Sequence, residues 1–289
     1  MLYLITLIIL FFSYLLYLYY WNKIKSFYMN NSYQNCNSKS NIKILSFNIN
    51  LLPHTFKKLD FLEKLILTHE IIFLQEFFTN IWFCKKKWLI NFCKEYNYNV
   101  VTNDNIDLLN YKFVDSGLVI LSKYKILDTI NYNFNFSEEI DKFSNKGILY
   151  AKIKIDNTII NLFNTHLQAQ YTNKISINSI KKSQLSELNL FINQIIEKNN
   201  NIIVGGDFNI SPQNSNDYFK SFNLCHSNEA TVYTKYNSDG IEIDSISTPL
   251  EGYEHNLFDY FYTKNLNIKV ISIPTTFSDH KFLSGVLMF

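Results

Sequence analysis

From residue 41 onward, short apolar runs alternate with longer stretches of mixed polarity. Residues 41–47, "NIKILSF", read as a buried strand, and 56–69 as an amphipathic helix. "EIIFL" at 70–74 is a second apolar strand, 82–96 reads as helical, and 98–102 as a strand. Length and β-branched content predict strands over 117–122, 126–134, 147–155 and 158–164. The longest helical pattern covers 175–198, and strands at 202–204, 257–262, 268–273 and 282–288 complete the series. Mixed strands with helices between them predict an α/β layered sandwich. No internal repeat interrupts it.

The first 40 residues follow a different pattern. Residues 1–21 contain no charged side chain and are Leu, Ile, Phe and Tyr almost throughout. About 20 apolar residues suffice for a helix to cross a bilayer core, so 1–21 is expected to be an uncleaved transmembrane anchor. Tyr17, Tyr19, Tyr20 and Trp21 sit at its C-terminal end, where interfacial aromatics belong. A cleaved signal peptide fits less well, because a basic leader and a small-residue cleavage site are both missing. Lys23 and Lys25 follow the segment and no Lys precedes it, which places the following domain in the cytosol by the positive-inside rule. Residues 22–40 read as a polar stalk, and 41–289 as one catalytic domain.

Composition narrows the chemistry. The chain has 289 residues, 47% hydrophobic and 18% charged, so it is globular with room for a sizeable core. All 27 basic residues are Lys. Without a guanidinium fork, a phosphate must be held by metal, Lys, His, Asn or backbone amides. A net charge of +2 argues against a broad basic groove for nucleic acid. Cys36, Cys84, Cys93 and Cys225 form no dense disulfide framework and read as free thiols.

Polar residues recur where the apolar runs end. Asn48 follows the first run, Glu76 closes "FLQE", and His166 closes "FNTH". "VGGDFN" supplies Asp207 and Asn209 after Gly205 and Gly206, "LFDYFY" holds Asp259, and "FSDHKF" gives Asp279 and His280. Each alone is an ordinary strand exit; the ordered set points to phosphodiester hydrolysis. That reaction needs an activated water, charge neutralisation on the phosphoryl oxygens, and help for the leaving oxygen. Mg²⁺ takes oxygen ligands, and Glu76 with Asn48 offers them. Mn²⁺ is the alternative ion. His280 is the candidate base, with Asp259 to fix its tautomer, and Asp207 and Asn209 to contact water and phosphate.

The ordered motifs "FNIN", "LQE", "DSGLVILSK", "NTHLQA", "GGDFN", "FDYF" and "SDH" resemble the endonuclease/exonuclease/phosphatase superfamily over essentially all of 41–289. Within it, "FNINLLP", "NKGILYAKI", "NTHLQAQ" and "SDHKF" are most similar to neutral sphingomyelinases of the bacterial phospholipase C type. The resemblance implies a four-layer α/β sandwich of two mixed sheets flanked by helices. It implies Glu76 as the metal carboxylate with Asn48 beside it, Asp279 as a second metal ligand, and His280 as general base oriented by Asp259. It also implies that His166 stabilises or protonates the leaving side, and that Asp207 and Asn209 hold water and phosphate. The protruding hydrophobic hairpin that secreted members use to touch lipid is not identified after "NTHLQAQ".

The expected substrate is a membrane phospholipid, sphingomyelin or a related choline lipid, met at a bilayer; no protein partner is identified. A nuclease or deadenylase-like enzyme on the same fold is the alternative, and a catalytically inactive membrane scaffold a further one. Finally, "FFTNIWFCKKKWLINF" interleaves Trp82, Phe83 and Trp88 with Lys85, Lys86 and Lys87, and is expected to act as a membrane-contact apron if its aromatics are not needed in the core.

Overall fold

The computed structural model describes residues 41–51, 55–78, 86–102, 110–172, 175–196, 200–239 and 241–288, together with Phe11, Ser13, Tyr14, Phe27 and Tyr28. A seven-stranded sheet runs in the order β1 (Phe27–Tyr28), β4 (Asn99–Thr102), β5 (Val119–Ser122), β3 (Ile71–Gln75), β2 (Ile42–Asn48), β16 (Phe282–Met288) and β15 (Asn267–Ile273). A six-stranded sheet runs β10 (Asn223–Cys225), β14 (Asp259–Lys264), β9 (Asn201–Asp207), β8 (Thr158–His166), β7 (Gly147–Ile155) and β6 (Lys125–Asn133). Each is mixed: β2 and β3 are parallel in the first, β8 and β9 in the second, and the other neighbours are antiparallel. A small sheet of β12 (Glu242–Ile246), β11 (Val232–Tyr236) and β13 (Glu254–Asn256) stands apart.

Side-chain alternation along each strand builds the layers. On β2, Ile42 and Ile44 join a cluster with Leu149, Ala151, Ile203 and Phe261 of the six-stranded sheet, which is the core between the sheets. Leu45 and Phe47 face the other way, onto α1 (Thr55–Ile66) and α2 (Lys86–Tyr96) through Leu62, Ile66, Leu89 and Phe92. On the far side, Tyr150, Phe163, Val204 and Tyr260 pack on α3 (Ile175–Ile195) through Leu185, Leu188 and Ile192. Helix, sheet, sheet, helix is the expected two-sheet α/β sandwich.

The sheets approach closely at Gly205, where an added Cβ would lie 2.5 Å from the Phe261 ring and 2.9 Å from Phe73. One polar bridge crosses the same core. Asn164 on β8 donates to the carbonyls of Leu74 (2.8 Å) and Val119 (2.9 Å) and accepts from Gln75 Nε2 (2.8 Å).

Most elements match the apolar pattern. Strand 158–164 runs on to His166, and 202–204 extends to Asn201–Asp207, because parallel pairing carries the ladder to His166 opposite Asp207. The strand expected at 257–262 begins at Asp259 instead. The small three-stranded sheet was not expected; its strands are polar and short, without an apolar run to mark them. Cys93 and Cys225 are free and buried.

The expected single-pass anchor is corrected. Among the described residues no helix is long and apolar enough to cross a membrane. Apart from Phe11, Ser13 and Tyr14, residues 1–21 lie outside the described part, as does most of the expected stalk. The cytosolic placement drawn from that anchor falls with it.

Candidate active site

The polar residues meet because the strands that carry them end at one edge of the sandwich. In the six-stranded sheet, His166 pairs with Asp207 and Asp207 with Asp259, so β8, β9 and β14 present them side by side. In the other sheet, Asn48 pairs with Gln75, and Glu76 follows at once. Asn48 joins the two groups: its Nδ2 donates to Glu76 Oε1 (3.1 Å) and to Asp207 Oδ2 (3.0 Å). Three of these turns hold left-handed backbone, at Asn50 (φ 45°), Glu76 (φ 56°) and Asn209 (φ 49°). Asn tolerates this region, whereas Glu does so at a cost of about 1–2 kcal/mol. Such strain gathers where a site demands an aim that regular structure does not give.

Asp279 and His280 arrive from the turn before β16. His280 Nδ1 lies 2.8 Å from Asp259 Oδ2, and its Nε2 lies 3.6 Å from Asp207 Oδ2. Burial disfavours an imidazolium here, yet Asp259 and then Asp207 outweigh it and hold His280 well above its ordinary pKa. Asp259 Oδ1 is buried without a hydrogen-bond partner among the described residues, so its charge leans on His280. Burial pushes the Asp207 carboxyl up to about 6, against the pull of His280. Asp207 Oδ1 accepts the backbone N–H of Asn209 (2.9 Å), and Asn209 Nδ2 donates to Leu167 O (3.1 Å), which fixes the turn.

On the other flank, Lys146 donates to His166 Nε2 (3.0 Å) and to Leu167 O (2.8 Å), and pairs with Asp141 at 2.8 Å. His166 Nε2 also lies 3.5 Å from Asp207 Oδ2 and 3.9 Å from Glu76 Oε1. Burial, then Lys146 and His280, hold His166 well below its ordinary pKa. It is therefore neutral, with Nε2 accepting and the proton on Nδ1. The Lys146 ammonium thus stands behind the His166 ring, engaged by His166, Leu167 O and Asp141. Lys181 on α3 adds a second cation, donating to Asn209 O at 2.6 Å; burial lowers its pKa to about 8.

The donor set fits a hard divalent cation. Glu76, Asp207 and Asp279 face one space, and Glu76 is raised to about 7 by burial and then by the Asp279 charge. A cation would relieve that crowding. Ligand atoms of Asp207, Asp259 and His280 also lie within 4.8 Å of one another. Those three are already engaged as a hydrogen-bonded pair and its neighbour, so the partly exposed Glu76 carboxylate is the better ligand. Asn48 points its nitrogen at the carboxylates and its Oδ1 at the N–H of Asn50 (3.1 Å), so ligation by Asn48 needs the amide turned over. Asp279 has both oxygens bonded, Oδ1 by Asn50 Nδ2 (3.0 Å) and Oδ2 by Ser245 Oγ (2.8 Å). Burial opposes the Asp279 charge, but His280 and these bonds keep its pKa below the usual value.

Glu76, His166, Asp207, Asn209, Asp279 and His280 floor a cleft of about 590 Å³ whose walls are largely polar, including Tyr171, Tyr236, Glu242 and Glu254. The structure thus brings together Asn48, Glu76, His166, Asp207, Asn209, Asp259, Asp279 and His280. The apron residues are not among them. Trp82, Phe83 and Lys85 lie outside the described residues, as do the side chains of Lys86 and Lys87. Trp88 is half-buried, stacked on Phe92 at 5.5 Å and close to Phe77 at 6.5 Å, so its ring serves packing. Sequence reasoning missed Asp141, Lys146 and Lys181. Lys146 stood inside the quoted "NKGILYAKI", and Lys181 inside the helical pattern at 175–198.

Residues 45–280 match the family described as Endonuclease/Exonuclease/phosphatase. Sphingomyelinase C of Bacillus cereus is 38% identical over 109 residues, covering 36% of this chain and 33% of that protein. Sphingomyelinase C 2 of Leptospira interrogans is 30% identical over 224 residues, covering 69% of this chain and 36% of that protein. The matches thus span about a third of the length of these relatives. Among solved structures, beta toxin of Staphylococcus aureus superposes with a TM-score of 0.66 at 22% identity, covering 84% of this chain and 99% of the toxin chain. A variant of that toxin with bound magnesium ions gives the same score and identity over 85% of this chain and 99% of that one. At this identity the likeness establishes the fold.

Proposed function

This chain belongs to the Endonuclease/Exonuclease/phosphatase family, and from that premise we propose that it is a phosphodiester hydrolase acting on sphingomyelin or a related choline phospholipid, releasing ceramide and phosphocholine. The observation that carries the reading is the His280–Asp259 pair, 2.8 Å apart, with its far nitrogen 3.6 Å from Asp207 on the floor of a polar cleft. His280 Nε2 takes the proton of an attacking water. Asp259 holds Nδ1–H and stabilises the imidazolium that forms. Asp207 fixes the water beside that nitrogen, and Asn209 shapes the turn that holds Asp207. A bound Mg²⁺, or Mn²⁺, would be held by Glu76 with Asn48 and Asp279, and supplies neutralisation of charge on the phosphoryl oxygens. His166, with the Lys146 ammonium bonded to its Nε2, would stabilise the leaving side. With no Arg in the chain, Lys181 is a cation that lines the cleft and could meet a phosphate. The substrate class draws support from the sphingomyelinases it matches.

The test is phosphocholine release from sphingomyelin vesicles by the purified chain in Mg²⁺, with supercoiled DNA and short RNA as competing substrates. Release that needs both the cation and His280 is expected. Cleavage of nucleic acid without phosphocholine release would move the substrate to the nuclease branch, and no cleavage at all would leave an inactive scaffold.

A further inference from the structure

Five large apolar side chains stand in solvent on two segments that lie against each other. Tyr111 is 71% exposed, Phe113 41%, Phe136 63%, Ile140 67% and Phe143 38%. Phe113 N and Val114 N both donate to Phe143 O, at 2.8 and 3.2 Å, and the Phe113 and Phe143 rings lie 5.8 Å apart. Lys112 Nζ reaches across to Ser137 Oγ (3.0 Å), beside Phe136. At about 200 Å² for a side chain of this size, the exposed portions total roughly 500 Å². That is near the upper end of what a monomer leaves uncovered without a use for it.

The charges on this surface are sorted. The turn Glu139–Phe143 and the residue before it carry three carboxylates; Asp141 is buried, and the half-buried Glu138 and Glu139 are bonded to the neighbouring 171–176 segment. Glu138 accepts from Ser176 Oγ (2.8 Å), Glu139 from Tyr171 N (3.3 Å) and Thr172 Oγ1, and Asp141 from Ala169 N (2.8 Å) and Lys146. What remains outward is Ile140, Phe143 and the exposed Lys142, whose Nζ sits 4.9 Å from the Phe143 ring. Apolar side chains beside a cation, with the acids turned away, complement a layer of phosphate-bearing headgroups over acyl chains. The surface also abuts the cleft: Ala169 and Tyr171, which the turn holds, line it.

We propose that this surface, centred on Phe136, Ile140 and Phe143, docks the enzyme on a phospholipid bilayer and sets the cleft mouth against the headgroups; it rests on the lipid-substrate reading above. Ile140 and Phe143 enter between headgroups, Lys142 meets lipid phosphate, and the inner carboxylates keep the turn on the cleft rim.

The full chain and the double variant Phe136→Asp, Ile140→Asp are compared in two assays. One is co-sedimentation with vesicles of sphingomyelin and phosphatidylserine. The other is hydrolysis of the water-soluble ester p-nitrophenyl phosphorylcholine. The expected result is at least a tenfold loss of vesicle partitioning, with the soluble rate unchanged. Partitioning within twofold of the parent chain, or no partitioning by the parent, overturns the proposal. If neither protein cleaves the soluble ester, the proposed activity fails, while the sedimentation still decides the docking surface. If the double variant alone loses the soluble rate, it has misfolded and Ile140→Trp decides: several-fold stronger partitioning upholds the surface, and unchanged partitioning overturns it.

Discussion

Glu76 combines two costs, a left-handed backbone and a partly buried negative charge beside Asp279. In the metal-free protein its carboxyl titrates near 7 rather than at the ordinary 4.5. Between those values the folded chain holds a proton that the unfolded chain has lost. Stability therefore falls as pH rises through that window, by about 3 kcal/mol in all. Glu76→Gln is expected to remove this part of the fall, leaving those from Asp207 and, above pH 6.5, from His280, and to abolish activity; urea titrations from pH 4.5 to 8 in chelator measure it. A variant that loses stability with pH as steeply as the parent would show that Glu76 is not the strained charge. His280 makes a second prediction. It works as a base only when neutral, and Asp259 and Asp207 hold it charged to well above its ordinary pKa. Activity should rise with pH through that value. Asp259→Asn should cut kcat/KM by about 10³–10⁴-fold and shift the rising limb to lower pH, since a neutral amide no longer favours the imidazolium. A limb that stays in place would mean another group controls it.

At the scale of elements, the site depends on two sheets held in register, and Asn164 is the polar bridge between them. It makes three hydrogen bonds in an apolar core, to Leu74, Val119 and Gln75. Asn164→Ala takes a donor from two carbonyls and an acceptor from Gln75, whose Nε2 keeps only a longer bond to Ser46 Oγ (3.3 Å), and should cost about 2–4 kcal/mol in chemical denaturation. A loss under 0.5 kcal/mol would mean that the sheets are held by apolar packing alone. "NTH" was legible as a motif for its His, while the role of its Asn was not, because an interstrand bridge is a tertiary fact. The central strands were legible because they are buried on both faces and so read as apolar runs, as in "IIFL" and the first half of β7, "GILYA". Strand ends were less so, since parallel pairing draws His166 and Asp207 into ladders that apolar content alone would close earlier. The small sheet of β11, β12 and β13 has no such run: polar residues fill most of it, and several of them, such as Thr234, Glu242 and Glu254, line the cleft.

Across the whole molecule, site residues far apart in the chain converge because they sit at strand ends on the same edge. Asn48, Glu76, His166 and Asp207 close or follow β2, β3, β8 and β9, a rule visible in the sequence as polar residues after apolar runs, whereas Asp259 opens β14 and Asp279 and His280 precede β16. Lys146 and Lys181 were not visible in this way, since a buried lysine and a surface lysine look alike until a fold surrounds them. The apolar stretch at 1–21 shows the opposite limit, where composition alone supported an anchor that the described helices do not supply. The central claim is that water, activated by His280, attacks phosphorus. Hydrolysis of sphingomyelin in ¹⁸O-enriched water, with the products weighed by mass spectrometry, tests it most directly. One ¹⁸O in phosphocholine and none in ceramide is the predicted result, lost together with product in His280→Ala. Label in ceramide, or labelled phosphocholine formed undiminished by His280→Ala, would contradict it.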